Sequence, residues 1–352
     1  MSDLVAQSDG EGPDPRPISA SDAATLEGVG AAVPGSDGEL SRVRGGVMHR
    51  LFGDPLPKRL LGRYTLIERI GRGGMGDVYL AEDPELARKV AIKLLPGYQR
   101  QGPESTRRLL HEARAVARLS HPNVVEVFDV GVHAGVPFVV MELVEGGTFT
   151  DWLAVRERSH AEIVAALLDA AEGLAAAHRV GLLHRDFKPA NVLVGPGTRM
   201  RVADFGLALA RAPGELATTD DGIDTEASTL ELGGTPAFMP PEQHAAKPLD
   251  ASVDVYAFCA TLHLACYGEL PFRGSLPAIV AAKLDYDGAP PVGRRIDARL
   301  HAVIARGLQP DPARRWRSME ALTGALRRAM RRSPTRALAW LAVPVLALSA
   351  WP

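Results

Sequence analysis

The sequence predicts an α+β protein with two lobes, a strand-rich first lobe followed by a helical second lobe. Two observations lead to this prediction. Residues from about 64 to 142 contain short β-branched runs bounded by glycine and proline, which are typical of antiparallel strands. Residues from about 145 to 331 are dominated by segments in which apolar residues recur at helical spacing. Strands and helices segregated in this way indicate an α+β architecture, and the sequence contains no internal repeat.

Residues 1–60 differ in composition from the rest of the chain. They are rich in Gly, Pro, Ser and Asp, and residues 1–40 hold eight acidic residues against one basic residue, Arg16. Because they lack sustained hydrophobic periodicity, we predict a disordered acidic leader. One two-lobed domain is expected over 61–331, followed by a short tail over 332–352.

The bulk composition excludes some classes of protein. Hydrophobic residues make up 46% of the chain, which is enough for a sizeable core, and the net charge of -2 gives no global basic signature of nucleic-acid binding. We therefore expect no nucleic-acid partner. Cys259 and Cys266 lie seven residues apart in a segment of helical character, too far apart for a disulfide, so we predict free thiols in a reducing compartment.

The elements of the first lobe follow in order along the chain. "YTLIERIG", "GDVYLAED" and "KVAIKLL" are strand candidates, as are the later runs "VVEVFDVGV" and "PFVVMELV". Between them, "PESTRRLLHEARAVARL" has helical spacing, with an apolar face of Leu110, Ala113, Val116 and Ala117 that Leu109 could extend.

The second lobe is predicted to consist mainly of helices. "AEIVAALLDAAEGLAAAHRVG" reads as a long amphipathic helix that ends at a glycine stop signal. Later helices are predicted at 252–267, 275–285, 297–308 and 317–331.

Gly71, Gly73 and Gly76 form the pattern G-x-G-x-x-G within "IGRGGMGDVYL". In a dinucleotide-binding fold such glycines open a helix, but here a strand-like segment follows them. We therefore expect a hairpin whose backbone N–H groups can approach a polyphosphate closely. An ordinary glycine-rich turn is the alternative, and this stretch alone favours neither.

Lys93 ends the apolar strand "VAIK", a short strand pair beyond the glycine loop. A lysine in this position is usually a surface residue, but here its ammonium could neutralise phosphate. Glu112 in the following helix is the natural carboxylate to hold that ammonium. The alternative is a local salt bridge between Glu112 and Arg108, which would contribute only ~0.3–0.5 kcal/mol.

Charged and amide side chains are concentrated in "HRDFKPAN" and "VADFG". Asp186, Asn191 and Asp204 supply hard oxygen ligands of the kind that Mg²⁺ prefers. Asp186 could also accept a hydroxyl proton, and Lys188 could stabilise a transferring phosphoryl group. Each residue alone could be an ordinary turn or cap residue. Their occurrence together, in order and at compatible spacing, favours a functional site.

Together these motifs resemble the signature set of the eukaryotic-type protein kinases. The matching motifs are G-x-G-x-x-G-x-V at 71–78, V-A-I-K at 90–93, H-R-D-x-K-P-x-N at 184–191 and D-F-G at 204–206. The resemblance covers about 64–331. Other segments of the sequence, such as "GGTPAFMPPEQ" and "DPARRW", are most similar to those of the bacterial serine/threonine kinases of this type.

The resemblance implies a catalytic role for several residues. Asp186 would be the catalytic base and Lys188 would assist phosphoryl transfer. Lys93 would contact the α- and β-phosphates of ATP while paired with Glu112. The residues implied to hold the metal ion, Mg²⁺ or alternatively Mn²⁺, are Asn191 and Asp204.

The resemblance also implies an ATP site between the lobes. The loop 71–76 would cover the phosphates, and segment 142–144 would be the hinge that hydrogen-bonds adenine, with Met141 as gatekeeper. Ala91 and Leu193 would sandwich the base. The residues implied to line this site are Ile70, Gly71, Arg72, Gly73, Gly74, Met75, Gly76, Val78, Ala91, Lys93, Met141, Glu142, Val144 and Leu193.

A Ser/Thr-rich segment lies between Gly206 and Pro241. In the family, an arginine placed like Arg185 pairs with a phosphate on this segment. We therefore expect autophosphorylation here, and a Ser/Thr-rich loop without a switching role is the alternative. Lys188 and Thr235 favour serine/threonine rather than tyrosine as substrate. The candidate phosphorylation sites are Thr225, Ser228 and Thr229.

Two positions depart from the family pattern without removing chemistry. The usual A-P-E is "PPE" here, with Pro240 in place of alanine, and Phe187 stands where leucine or isoleucine is commoner. Glu242 remains, so the family's ion pair between Glu242 and Arg315 is expected.

Residues 337–352 carry no charge, follow a cluster of arginines, and have Trp340 and Trp351 near their ends. This pattern resembles a cytoplasmic positive flank before a membrane segment. However, 16 residues make about 24 Å of helix against roughly 30 Å of hydrocarbon, and Pro344 interrupts them. The segment is either the start of a membrane helix, which would anchor a cytoplasmic kinase domain to the inner membrane, or an apolar tail docked on the second lobe.

The leading functional hypothesis is an ATP- and Mg²⁺-dependent serine/threonine protein kinase that phosphorylates protein substrates in bacterial signalling. Whether a homodimer carries out the autophosphorylation is left open. A pseudokinase scaffold is the main alternative, but the chain keeps Lys93, Asp186 and Asp204. A small-molecule kinase is disfavoured by "GTPAFMPPEQ", because in protein kinases this region forms the peptide-binding platform.

Overall fold

The computed structural model describes residues 59–73, 76–100, 102–205, 234–293 and 296–331. Several predictions fall outside these residues. They concern the leader up to residue 58, Gly74 and Met75, the phosphorylation candidates Thr225, Ser228 and Thr229, and the tail over 332–352.

The first lobe is built on a six-stranded antiparallel sheet with the strand order β1-β2-β3-β4-β6-β5. The strands are β1 Arg59–Leu61, β2 Tyr64–Gly73, β3 Gly76–Asp83, β4 Arg88–Leu94, β5 Val127–His133 and β6 Val136–Met141. Gly73 pairs directly with Gly76, which confirms the predicted glycine hairpin between β2 and β3. Gly76 has a φ of +151°, and a Cβ atom there would lie 1.8 Å from the Leu94 carbonyl oxygen, so only glycine fits.

Two helices, α1 Pro96–Arg100 and α2 Pro103–Val116, lie between β4 and β5. The buried face of α2 consists of Leu109, Ala113 and Val116, a helical i, i+4, i+7 stripe that packs towards the sheet. The expected face was therefore only partly correct. Leu109 is buried where Leu110 is half-buried, and Ala117 is exposed because the helix ends one residue before it.

The second lobe is helical, which confirms the α+β prediction. Its longest helix begins at a capping box in which Ser159 and Glu162 bond each other's backbone N–H groups, and it ends before Gly181, which has a φ of +77°. The predicted glycine stop is thus confirmed. The helices are α3 Phe149–Val155, α4 His160–Arg179, α5 Gly234–Phe238, α6 Pro241–His244, α7 Ser252–Tyr267, α8 Leu276–Leu284, α9 Ala298–Gly307 and α10 Met319–Met330.

The core of the second lobe forms where α4 and α7 pack together. Leu167 and Leu174 of α4 and Val255 and Phe258 of α7 are fully buried in one hydrophobic cluster. The buried residues of α7 occur on all of its faces, as expected of a central helix. A short hairpin of β7 Val192–Val194 and β8 Met200–Val202 lies between this core and the first lobe.

A buried ion pair joins α6 to the segment before α10. Both terminal nitrogens of Arg315 donate to the Glu242 carboxylate, at 2.6 and 2.8 Å. The same guanidinium also donates to the carbonyl oxygens of Gln309, Pro310 and Ser252. The expected Glu242–Arg315 pair is therefore confirmed, and its bidentate geometry ties three parts of the second lobe together.

The elements that the structure describes run from β1 to α10, and the domain limits of 61–331 stay a prediction. The first strand begins at Arg59 and the last helix ends at Met330, close to the predicted domain limits of 61–331. Within the residues that the structure describes, no helix is both long enough and apolar enough to span a bilayer.

Candidate active site

The segment between α4 and β7 brings three predicted site residues together. Nζ of Lys188 lies 2.8 Å from Oδ2 of Asp186. Nδ2 of Asn191 donates to the Asp186 carbonyl oxygen at 2.7 Å and reaches the carboxylate at 3.3 Å. Asp186 is only 8% exposed, so these contacts hold its carboxylate in one orientation at the base of the cleft.

The backbone of this segment is held from below by Asp254 of α7. Its two carboxylate oxygens accept hydrogen bonds from the backbone N–H groups of His184 and Arg185, both at 2.8 Å. Arg185 has a φ of +65°, an unusual conformation for a residue other than glycine, and these bonds offset its strain. Nε2 of His178 also bonds Asp254, at 2.7 Å.

Asp254 remains ionised although it is fully buried. Burial by itself would raise the pKa of the carboxyl group, but the hydrogen bond and charge of His178 and the His184 N–H hold that pKa below its ordinary value. The motif comparison did not single out Asp254 or His178. The available signal was a lone acidic residue in the otherwise apolar run "VDVYAFCA".

The side chains of His184 and Phe187 point into the core, and both are fully buried. Nε2 of His184 bonds the Ala203 carbonyl at 2.8 Å, and its ring contacts Phe205. The Phe187 ring stacks on Phe258 of α7. These contacts fasten the catalytic segment to residues 203–205.

Lys93 contacts Asp204 rather than Glu112. Its Nζ atom lies 2.7 Å from Oδ2 of Asp204, and Asp204 has a φ of +63° that turns its side chain towards β4. The expected Lys93–Glu112 ion pair is not formed among the residues described, because the Asp204 carboxylate occupies the ammonium. The pKa of Glu112 lies above its ordinary value because the side chain is half-buried. The nearby charges of Arg185 and then Arg108 lower this pKa but do not cancel the effect of burial.

An apolar surface from both lobes lies above these charged groups. Val78, Ala91 and Met141 of the sheet share one hydrophobic cluster with Val144 and Leu193. Ala91 pairs directly with Met141 across β4 and β6. An apolar surface of this kind has the chemistry that can pack against a flat aromatic base.

The other predicted ATP-site residues that the structure describes lie on the glycine hairpin and just after β6. Ile70, Arg72 and Gly73 are exposed on the glycine hairpin, and Gly71 is half-buried. The backbone N–H of Glu142 donates to the Glu126 carbonyl at 2.9 Å, and its carboxylate forms an ion pair with Arg201 of β8. The sequence did not indicate this contact with Arg201, which joins the predicted hinge to the second lobe.

The order of these motifs, now seen around one cleft, agrees with comparisons to known proteins. The family model for the protein kinase domain matches residues 64–325. The chain belongs to the protein kinase domain family.

Its relatives among known proteins include bacterial serine/threonine-protein kinases. The chain is 35% identical to PknB of Mycolicibacterium smegmatis over 273 residues, which cover 74% of this chain and 42% of the relative. It is 34% identical to Pkn1 of Myxococcus xanthus over 284 residues, covering 79% of this chain and 40% of the relative. The chain therefore matches less than half the length of these relatives.

Solved structures agree with this assignment. The kinase domain of Mycobacterium tuberculosis PknI superposes with a TM-score of 0.59 at 28% identity, covering 78% of this chain and all of that domain.

The kinase-domain cleft offers oxygen ligands that suit a hard cation. The backbone N–H of Ala203 donates to the Asn191 carbonyl at 2.9 Å, which places Asp204 next to Asn191. One carboxylate and one amide oxygen fit Mg²⁺, which usually keeps water and phosphate oxygens as its other ligands. Within the described ranges, no three His, Cys, Asp or Glu side chains form a cluster that could hold a metal by themselves.

The lowered pKa of Asp254 makes a prediction for stability in acid. A carboxyl group whose folded-state pKa lies below its ordinary value of 3.8 stabilises the protein above that value, and this contribution is lost as the pH falls through the lower folded pKa. Asp254→Asn should therefore lower the unfolding free energy at neutral pH and make it less sensitive to acid below pH ~4. Denaturant titrations at several pH values measure both effects.

The exposed Asp285 provides the control, since Asp285→Asn makes the same chemical change outside the core. We expect this variant to follow the native acid dependence. The unfolding free energy of Asp254→Asn could instead decrease in acid by the same amount as that of the native chain. In that case the ionised carboxylate of Asp254 would not stabilise the fold.

Proposed function

We propose that this chain is an active serine/threonine protein kinase that transfers the γ-phosphoryl group of ATP to Ser/Thr hydroxyls of proteins in bacterial signalling. The observation that carries the proposal is the set of contacts around Asp186, whose carboxylate meets both Lys188 and Asn191. A pseudokinase scaffold would not need these three groups in contact with one another.

The chemistry assigned to Asp186 follows from its contacts. One carboxylate oxygen, Oδ2, is bonded by Lys188 and Asn191, so Oδ1 would accept the proton of the attacking hydroxyl. The Lys188 ammonium would stabilise the charge that develops on the transferring phosphoryl group. The Asp254 anchor would keep both groups in place between turnovers.

Asn191 and Asp204 would hold Mg²⁺, with Mn²⁺ as an alternative. When bound, the metal neutralises charge on the phosphate oxygens. Lys93 would exchange Asp204 for the α- and β-phosphates in the nucleotide-bound state, and Glu112 would then be available to pair with it. The apolar surface around Ala91 and Leu193 would enclose the adenine.

Arg185 gives a physical reason for regulation by phosphorylation. Its buried Nε atom has no hydrogen-bond partner within the described part of the chain. A phosphate on Thr225, Ser228 or Thr229 would supply a charge-assisted acceptor for this guanidinium and draw it away from Glu112. Two copies of the chain could form a homodimer in which one phosphorylates the other.

The localisation proposed here follows from the composition of the tail. Residues 337–352 are uncharged and come after several arginines, a pattern typical of a membrane segment with its positive flank in the cytoplasm. We propose a cytoplasmic kinase domain that the tail attaches to the inner membrane.

Phosphoryl transfer is tested by incubating the full chain with γ-labelled ATP, Mg²⁺ and casein. Asp186→Asn removes the base and should lower kcat by about 10²–10⁴-fold. Lys93→Met removes the phosphate-binding ammonium and should reduce labelling to a similar extent. The exposed residues Lys89 and Asp285 give matched controls, and Lys89→Met and Asp285→Asn should label like the native chain.

A native chain that transfers no label to any generic substrate would support the scaffold alternative. Equal labelling by the native chain and Asp186→Asn would remove Asp186 as the base.

Autophosphorylation is tested by phosphopeptide mapping of the purified active chain. We expect phosphate on Thr225, Ser228 or Thr229, and we expect Arg185→Gln to reduce the activation that follows phosphorylation, because its amide cannot pair bidentately with phosphate. Active protein with this segment unmodified would contradict the proposal.

Membrane attachment is tested by fractionating cells that express the full chain and a version that ends at residue 331. We expect the full chain in the membrane fraction and the shortened chain outside it. Recovery of both without detergent would contradict the proposal.

A further inference from the structure

Lys283 of α8 is a buried cation that the catalytic mechanism does not use. Its side chain is fully buried, within the run "LPAIVAAKL". Its Nζ atom donates to the carbonyl oxygens of Pro236 at 2.5 Å and Met239 at 2.6 Å, and it lies 3.2 Å from Nε2 of His244. All three partners belong to the segment 236–244, which comprises the end of α5 and the whole of α6.

The hydrogen-bonding groups around Lys283 match an ammonium. An ammonium has three donors and no acceptor. Two of its partners are carbonyl oxygens, and the third is a neutral imidazole nitrogen. Burial and the charge of Lys283 lower the pKa of His244 to about 4, so this ring is neutral at pH 7 and can accept a hydrogen bond.

Folding stability alone does not explain a lysine in this position. Burial lowers the pKa of Lys283 to about 7, which is the physical sign that the protein resists the charge there. The rings of Tyr256 and Phe272, each 5.9 Å away, compensate only in part. An apolar side chain of equal length would fill the space without desolvating a charge. Such an apolar side chain has no hydrogen-bond donor, so it could not hold two carbonyl groups at fixed positions.

The segment that Lys283 holds is connected directly to the catalytic loop. Nε2 of Gln243 donates to the Arg185 carbonyl at 2.9 Å, one residue before Asp186. Glu242 is fixed by Arg315 in the buried ion pair described above. The segment 236–244 is therefore fastened along its length by Lys283, and near its end also by Gln243 and Glu242.

We infer that Lys283 is a positioning residue for the protein substrate. It holds the backbone of segment 236–244 against α8, so that this segment presents a fixed surface to a polypeptide whose hydroxyl approaches Asp186. The inference rests on the proposed function, because it presupposes a polypeptide substrate. Lys283 has no part in binding ATP under this inference, since its hydrogen-bond partners all lie in segment 236–244.

Steady-state kinetics of the full chain with casein and ATP test this role. Lys283→Met keeps the length of the side chain and removes its donors. We expect the KM for casein to rise on the order of tenfold, as for the loss of one charged hydrogen bond, while the KM for ATP stays within about twofold. Lys283→Gln keeps N–H donors and should restore part of the affinity for casein.

Lys247 provides a matched control three residues beyond the segment, where it is exposed. Lys247→Met should leave both KM values unchanged. An unchanged KM for casein in Lys283→Met, or an equal rise in the KM values for casein and ATP, would overturn the inference.

Hydrogen exchange of the full chain without substrate separates this inference from the proposed function. In Lys283→Met, the amides of 236–247 should exchange faster than in the native chain, with no change at 184–191. Unchanged exchange at 236–247 would overturn the fastening by Lys283 itself. A second outcome is faster exchange at 236–247 in Lys283→Met together with a native chain that phosphorylates no substrate. That outcome would contradict the proposed kinase function and with it the substrate role of Lys283.

Discussion

The buried carboxylate of Asp254 is the interaction on which the site depends. It accepts the backbone N–H groups of His184 and Arg185 and a bond from His178, all within the core of the second lobe. A charge in such a place is stable only when its hydrogen bonds are complete. The turn that it holds sets the direction of Asp186, and through Asp186 the positions of Lys188 and Asn191. The geometry of the cleft is thus set by a residue that does not face the cleft.

Residues 203–205 connect the catalytic segment to the first lobe. Ala203 bonds both Asn191 and His184, Phe205 packs against the His184 ring, and Asp204 reaches up to Lys93. The apolar side chain of Phe205 therefore lies in the core, while the charged side chain of its neighbour Asp204 lies in the cleft. The strained φ of Asp204 is the local consequence of this alternation.

Sequence patterns were sufficient for features that depend on neighbouring residues. The strand and helix segregation, the glycine hairpin and the ends of the longer helices follow from periodicity and capping, and the structure agrees with them. The cluster of Asp186, Lys188 and Asn191 is also local, since one turn spans it.

Contacts between distant parts of the chain could not be predicted in the same way. Lys93 and Asp204 are 111 residues apart, and only the packing of the lobes decides whether Asp204 or Glu112 reaches the ammonium. Asp254 and Lys283 are each the only Asp, Glu, Lys or Arg residue in their helices, and a sequence alone does not show which backbone groups they meet. Most of their hydrogen bonds are to backbone atoms, which are the same for nearly every residue type, so these partners leave no trace in the sequence.

The most direct test of this account is the turnover number of Asp254→Asn, measured with saturating ATP and casein at a temperature where the variant remains folded. Asparagine can accept only one of the two backbone bonds well, so the turn that carries Asp186 should lose its fixed direction. The account predicts a fall in kcat of at least about tenfold with little change in the KM for ATP. A variant that is folded and turns over at the native rate would contradict it.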